Sequence, residues 1–239
     1  MRWAILSWDV HIIQFFNQFS GKSYFFDLLV VKFLGLNTVK MLPIALCMVW
    51  IWFDEKSQDK RRWQLGQALA AGLVALVVSR VIQNLMPHHP RPIYAPDLGF
   101  VPPFGASLDI FRDWSSFPSD NAALAFALAA GIWRASRVQG AFCLFWALFV
   151  VSFPRVYAGY HYPSDILSGA IVGLLSLAAV AWIFPKQPKV PGIVSKYVKS
   201  TPILYVVLFA VMFEIVTMGY DFRMTFRGLS DYVGGHEAE

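Results

Sequence analysis

The sequence is dominated by apolar runs too long for the helices of a soluble core, separated by short connections rich in lysine and arginine. A chain built this way has few structural options. In a bilayer, backbone polar groups find no water, so each run must cross as a helix that satisfies its own hydrogen bonds. With 57% of 239 residues hydrophobic and only 15% charged, the chain reads as an all-α, polytopic membrane helix bundle. The formal charge of +5 lies largely in the connections, which fits a positive-inside bias and not nucleic-acid binding. Cys47 and Cys143 fall in different apolar runs, so neither a disulfide framework nor a cysteine-ligated metal site is readable.

About six transmembrane helices are expected, at 38–53, 63–86, 118–133, 139–154, 163–184 and 201–219. Before them, residues 3–19 carry Trp8, Ile12, Phe15, Phe16 and Phe19 at helical spacing, with Asp9, Gln14 and Asn17 on other faces. This pattern predicts an N-terminal interfacial helix, and the absence of a small-residue cleavage pattern after it argues against a removed signal peptide. Segment 24–36, interrupted by Asp27 and Lys32, either lies in the interface or lengthens the next helix. The expected organisation is an N-terminal interfacial segment (1–36), a transmembrane domain (37–219) with loops 87–117 and 155–162, and a polar tail (220–239). Counting crossings puts both loops, and the starts of the third and fifth helices, on one face. The basic connections, flanked by Trp50, Trp52, Trp63, Trp133 and Trp182, lie on the other, which should be cytoplasmic.

The shared face collects the chemistry. Pro118-Ser119-Asp120-Asn121 opens a helix, where a hydroxyl beside first-turn N–H groups can cradle an anion, although Ser119 and Asp120 can equally serve as caps. Arg155 is followed by His161 and then by Asp165 in the first turn of the fifth helix. A carboxylate on one imidazole nitrogen fixes the tautomer and frees the other as a nucleophile. Arg91 and Arg155 offer forked donors to phosphoryl oxygens. Each element alone has an ordinary structural explanation, as a cap, a lipid anchor or a surface histidine. Four on one face point to phosphate handling. Phe100-Val101-Pro102-Pro103-Phe104 and Trp114 in the long loop suit an amphiphile, or anchor the loop in the interface.

Arg91-Pro92, Pro118-Ser119-Asp120-Asn121 and the Arg155–His161–Asp165 set resemble the three-part signature of type 2 phosphatidic acid phosphatases, over roughly residues 63–184. The resemblance implies a six-helix membrane phosphatase without metal or cofactor. His161 would become phosphorylated, Asp165 would orient it, and Arg91, Ser119 and Arg155 would hold the phosphate, with Asp120 in the same phosphate-binding motif. Three positions depart from the pattern. Asn84 stands where the family has a lysine, and Arg80, one turn earlier, either replaces that charge or pairs with Glu214 on the sixth helix. Pro154 replaces the usual serine before Arg155.

Asn121 replaces the histidine that protonates the leaving group, and an asparagine cannot act as a general acid. Either the position has been disabled, or the leaving group needs little protonation, as in a lipid diphosphate; His88 or His89 is an auxiliary candidate. The resemblance, together with such a leaving group, implies undecaprenyl diphosphate as the substrate, hydrolysed at the periplasmic or outer face of a bacterial-type plasma membrane. Transfer of the phosphoryl group to another lipid, such as lipid A, and a catalytically silent lipid-phosphate binding or transport relative are the alternatives. Expected partners are the phosphorylated lipid and membrane lipids, with no nucleic acid and no obligatory protein partner.

Overall fold

A computed structural model describes residues 6–54, 59–106 and 114–185, and the described residues are helical with irregular connections. In chain order the helices are α1 (Ser7–Asn17), α2 (Tyr24–Gly35), α3 (Asn37–Phe53), α4 (Asp59–Leu85), α5 (Asp120–Ala135), α6 (Arg137–Trp146), α7 (Phe153–Tyr157) and α8 (Pro163–Ile183). A wide helical turn, Ala147–Ser152, joins α6 to α7, with the Ser152 hydroxyl donating to the Ala147 carbonyl at 2.7 Å. Arg137–Tyr157 thus forms one run across Pro154, and the connection before His161 starts after Tyr157, not at Arg155 as the sequence suggests.

Three helical runs, Asp59–Leu85, Arg137–Tyr157 and Pro163–Ile183, are long and apolar enough to cross a membrane. A fourth is counted if α2 and α3, bent by 63° at Leu36, form one broken span. The buried Lys40 ammonium donates to the Leu34 carbonyl at 2.9 Å, so an apparently misplaced charge satisfies the backbone opened by that bend. The sixth expected crossing, Glu214 and the polar tail lie outside the described residues.

At the centre stands α5, almost wholly buried between α4 and α8. Small residues permit this. Lipid gives apolar surfaces no reason to leave it, so helices associate where backbones approach closely. A Cβ added at Gly169 or Gly173 of α8 would lie 2.3 Å from the carbonyl oxygen of Ser119 or Ala123, respectively. At one end of the bundle Trp63 and Gln67 of α4 donate to the Phe184 carbonyl, and Arg62 and Arg137 lie over Trp52 and Trp133. At the other end Gln83 donates to the Pro118 carbonyl at 2.8 Å, and Ser119 N–H to the Asp165 carbonyl at 3.0 Å.

The N-terminal helices brace this second end. Asp9 of α1 accepts from the backbone N–H and hydroxyl of Ser164, at 2.8 and 2.6 Å. Asn17 makes a reciprocal pair with the backbone of Val101, and the buried Asp27 accepts from Gly21 N–H, Phe104 N–H and the Tyr157 hydroxyl. Segment 24–36 is therefore a helix whose one carboxylate ties the long loop to α7. Phe100 packs inward beside Val156 and Tyr162, whereas Val101, Phe104 and Trp114 are exposed.

Candidate active site

Three segments meet at the end of α5. The turn after α7 is shaped by Gly159, whose φ of +70° is the left-handed region, and whose missing Cβ leaves room for the Phe100 ring. Within it the Arg155 carbonyl accepts from both Tyr160 and His161 N–H groups, which folds the histidine back under the arginine. The first motif is stitched to the same turn: Ile93 N–H donates to the Gly159 carbonyl at 2.9 Å, and Arg91 Nη1 to the Tyr160 carbonyl at 2.6 Å.

His161 is buried and its two ring nitrogens face opposite chemistry. Nδ1 lies 2.9 Å from the Ser116 carbonyl and 3.5 Å from Asp165 Oδ2, both pure acceptors. The carbonyl takes the closer hydrogen bond, and the carboxylate adds charge from a slightly longer range. The proton therefore resides on Nδ1. Nε2 keeps its lone pair and faces Arg91 Nη1 at 3.3 Å. Burial drives the pKa of His161 down to about 4, with Arg91 and Arg155 adding to the fall and Asp165 opposing it. Burial also lowers the pKa of Arg91, but from so high a starting value that the guanidinium stays charged.

Asp165 is completely buried and ties the motifs together. Its Oδ2 accepts the N–H of Tyr162, its Oδ1 lies 3.5 Å from His89 Nδ1, and its carbonyl accepts from Ser119. The helix starts differ from the free cradles suggested by sequence. α5 begins at Asp120 with Ser119 as its cap, after Pro118. Asn121 N–H is taken by Asp120 Oδ1 and Ala122 N–H faces the Ser119 hydroxyl oxygen at 3.5 Å. At α8 the Ser164 N–H is taken by Asp9. Of the donors expected to meet an anion, the Ser119 hydroxyl caps α5 and Arg91 and Arg155 are buried at the same end of the bundle.

Asp120 sits between Arg80, 2.8 Å from its Oδ2, and the Asn121 amide, whose Nδ2 donates to Oδ1 at 2.8 Å. A carboxylate only accepts, so it fixes the amide with Nδ2 inward. Asn121 Oδ1 is left buried without a hydrogen-bond partner. Arg80 also donates to Gln83 and lies 4.6 Å above the Trp114 ring. Asn84 and His88 are not joined to this network; they line a neighbouring cleft of about 550 Å³ with Arg80, Gln83, Trp114 and Ser115. His89 lies on the Asp165 side, against Ser116 Oγ at 2.6 Å.

Sequence reasoning missed Ser116, whose carbonyl holds His161, as well as Gln83 and Asp9. A Ser-Ser pair just before Phe117-Pro118 carries no distinctive signal, whereas Gln83, one turn beyond Arg80 in an apolar run, was a usable one. Among the described residues no group of three or more His, Cys, Asp or Glu side chains is placed to hold a metal ion.

A polytopic helical membrane protein with a histidine, a buried carboxylate and two arginines at one end of its bundle fits one class, and the sequence comparison agrees: the chain belongs to the PAP2 superfamily, which it matches over residues 67–189. It is 28% identical over 191 residues to the bacitracin transport permease protein BcrC of Bacillus licheniformis, covering 80% of this chain and 88% of that one. It is 27% identical over 209 residues to the lipid A 1-diphosphate synthase of Escherichia coli (81% and 82%). It is 25% identical over 163 residues to the undecaprenyl-diphosphatase BcrC of Bacillus subtilis (68% and 78%). No solved structure gives a significant match.

Proposed function

We propose that this chain hydrolyses undecaprenyl diphosphate to the monophosphate through a phosphohistidine intermediate, without a metal ion. The observation that carries this reading is the polarity of His161: Nδ1 is held protonated by acceptors and Nε2 presents a lone pair beside a guanidinium. Nε2 attacks the terminal phosphorus, and the bond from that phosphorus to the bridging oxygen breaks with departure of the lipid monophosphate. Arg91, Arg155 and Ser119 bear the charge on the transferred oxygens, and Asp165 stabilises the N-phosphorylated imidazolium. Water then attacks the phosphorus, the N–P bond breaks, its electrons return to Nε2, and the water proton leaves with phosphate and solvent.

Asn121 supplies no proton, so the first step favours a leaving group that departs as a stable anion. A lipid monophosphate meets that condition far better than an alkoxide. The undecaprenyl-diphosphatase among the relatives supports the substrate class. The site face would be periplasmic or outer, in a plasma membrane crossed six times, with α5 as one crossing.

Phosphate release from lipid diphosphate and lipid monophosphate, compared for the wild type, His161→Ala and Asn121→His, tests the proposal. Diphosphatase activity in the wild type, its loss in His161→Ala, and a gain in Asn121→His confined largely to the monophosphate are expected. An inactive wild type rescued on both substrates by Asn121→His would instead mark Asn121 as a disabling residue, with general acid loss costing about 10²- to 10⁴-fold. No His161-dependent release from any variant would leave the silent lipid-binding reading standing. Vanadate should inhibit and chelators should not; activity abolished by EDTA and restored by a divalent ion defeats the metal-free mechanism.

Phosphoryl transfer to an acceptor lipid is the second reading, favoured by similarity to a lipid A 1-diphosphate synthase across 81% of the chain. Labelled donor lipid incubated with acceptor lipid separates the two by where the label appears.

A further inference from the structure

The carboxylate that steers His161 is shared with a second histidine. Asp165 Oδ2 faces His161 Nδ1 and Asp165 Oδ1 faces His89 Nδ1, each at 3.5 Å, in a pocket where Asp165 is fully buried and both rings nearly so. His89 is also clasped to the segment that holds His161 from the other side. Its carbonyl accepts from Ser116 N–H at 2.9 Å, its N–H donates to the Ser115 hydroxyl at 3.2 Å, and its Nδ1 lies 2.6 Å from Ser116 Oγ. The Ser116 carbonyl in turn accepts from His161 Nδ1. The ring is packed 4.9 Å from Tyr162, immediately after the nucleophile in sequence.

We propose that His89 is a positioning residue for the nucleophile, acting through both groups that hold His161 Nδ1. Neither route touches phosphate. One runs through Asp165: Oδ1 is held by no hydrogen bond, and the polar Nδ1 edge of the His89 ring, 3.5 Å away, is the electrostatic neighbour that favours the carboxylate orientation with Oδ2 towards His161. The other runs through Ser116: a ring nitrogen on its hydroxyl anchors the residue whose carbonyl receives the His161 proton. A carboxylate buried this completely takes its direction from the protein groups packed around it. Tyr162 N–H and His161 occupy Oδ2, and His89 is the neighbour that faces Oδ1.

The expected signature separates bond formation at Nε2 from binding of the anion. Outer-layer hydrogen-bond partners that orient a functional histidine typically contribute about 10- to 100-fold. Losing the His89 donor should therefore weaken whatever depends on the direction of Nε2, while the Arg91, Arg155 and Ser119 donors go on holding an oxyanion. Asparagine carries a side-chain N–H close to where Nδ1 lies, and glutamine carries it near Nε2; the two amides distinguish a donor at the Oδ1 position from mere filling of space.

This inference rests on the phosphohistidine reading, and its test reports on His89 without requiring turnover. Binding of vanadate, which bonds to a correctly aimed nitrogen, and of inorganic phosphate, which does not, is measured on the full chain in detergent for wild type, His89→Phe, His89→Asn and His89→Gln, together with melting temperature. His89→Phe and His89→Gln should lose vanadate affinity about 10- to 100-fold with phosphate affinity kept, and His89→Asn should recover most of it. Equal vanadate affinity in all four proteins, a parallel fall in phosphate affinity and melting temperature, or His89→Asn as impaired as His89→Phe overturns the proposal, as does a wild type that binds no vanadate. If the vanadate pattern holds but no lipid phosphate is hydrolysed, positioning by His89 stands and the proposed reaction falls.

Discussion

Nε2 of His161 and Nη1 of Arg91 lie 3.3 Å apart, with both side chains almost removed from solvent. The Nε2 lone pair is thus covered by a cation, and in the proposed reaction an incoming phosphoryl oxygen would take over that N–H. Burial above all, and this closeness in addition, discourage protonation. A histidine of ordinary pKa, 6.5, loses its lone pair as pH falls through that value, whereas His161 keeps it until about pH 4. The acid limb of kcat/KM, corrected for ionisation of the substrate, should lie near 4. In Arg91→Gln it should move towards 6.5, because a positive neighbour has gone. A limb that stays put in the variant would separate Arg91 from the titration of His161.

Asp120 pairs with Arg80 through Oδ2 and takes two donors from Asn121 on Oδ1. Arg80→Met should destabilise the detergent-solubilised protein by about 1 kcal/mol, the low end for a buried polar group losing a partner, because the Arg80 side chain is 34% exposed and Asn121 still donates to Asp120. The double variant Arg80→Met/Asp120→Asn should recover much of that loss, since no unpaired charge remains. Thermal unfolding of the two single variants and the double variant measures the coupling.

Gly169 sets how closely α8 approaches the start of α5. A methyl group there meets the Ser119 carbonyl at 2.3 Å and has to move backbone. Gly169→Ala should cost about 1–3 kcal/mol and most of the activity, because Ser119 and Asp165 are displaced from each other. Gly66→Ala, at a helical position with nothing within 4 Å, is the control and should be neutral or slightly stabilising.

Asp9 closes the N-terminus of α8 from another helix. Burial raises its pKa, with the two Ser164 hydrogen bonds opposing the rise, so the folded state holds the Asp9 proton more tightly than the unfolded chain does. Its contribution to stability is therefore fully present below 3.8 and falls away as pH rises through the elevated value. At neutral pH Asp9→Asn, which keeps an acceptor and removes the charge, should be tolerated. Asp9→Ala should lose about 1–2 kcal/mol, as the removal of a helix cap does. Melting temperatures at pH 5 and pH 8 for both variants test the difference.

The candidate spans at α4, α6–α7 and α8 were legible because about twenty predominantly apolar residues admit one structure in a bilayer. The motif residues were legible because arginine, histidine and aspartate are out of place in such company. What composition could not convey was which acceptor a donor would choose. Lys40 is a charge inside the expected span 38–53, yet its ammonium completes the backbone of α2. Arg80 had two readings from its sequence position, a spare cation for the site or a partner for Glu214; across 40 residues it found Asp120. Ser116 acts through its carbonyl, an atom every residue has, so no residue type could announce it. The helix start at Ser119 suggested an anion cradle, but Asp120 took the Asn121 N–H there, as Asp9 took the Ser164 N–H of α8, and only tertiary placement decides that competition.

The pairing of Asn17 with Val101 and of Asp9 with Ser164 has a consequence for sidedness. These bonds hold α1 to the very end of the bundle where His161 stands, so the start of the described chain and the reacting centre cannot be parted by the bilayer. Whichever compartment receives Ser7 is the one that the proposed reaction would supply with phosphate. A compartment-sensitive reporter placed just ahead of α1 would therefore disclose the vectorial sense of the chemistry without a substrate being added.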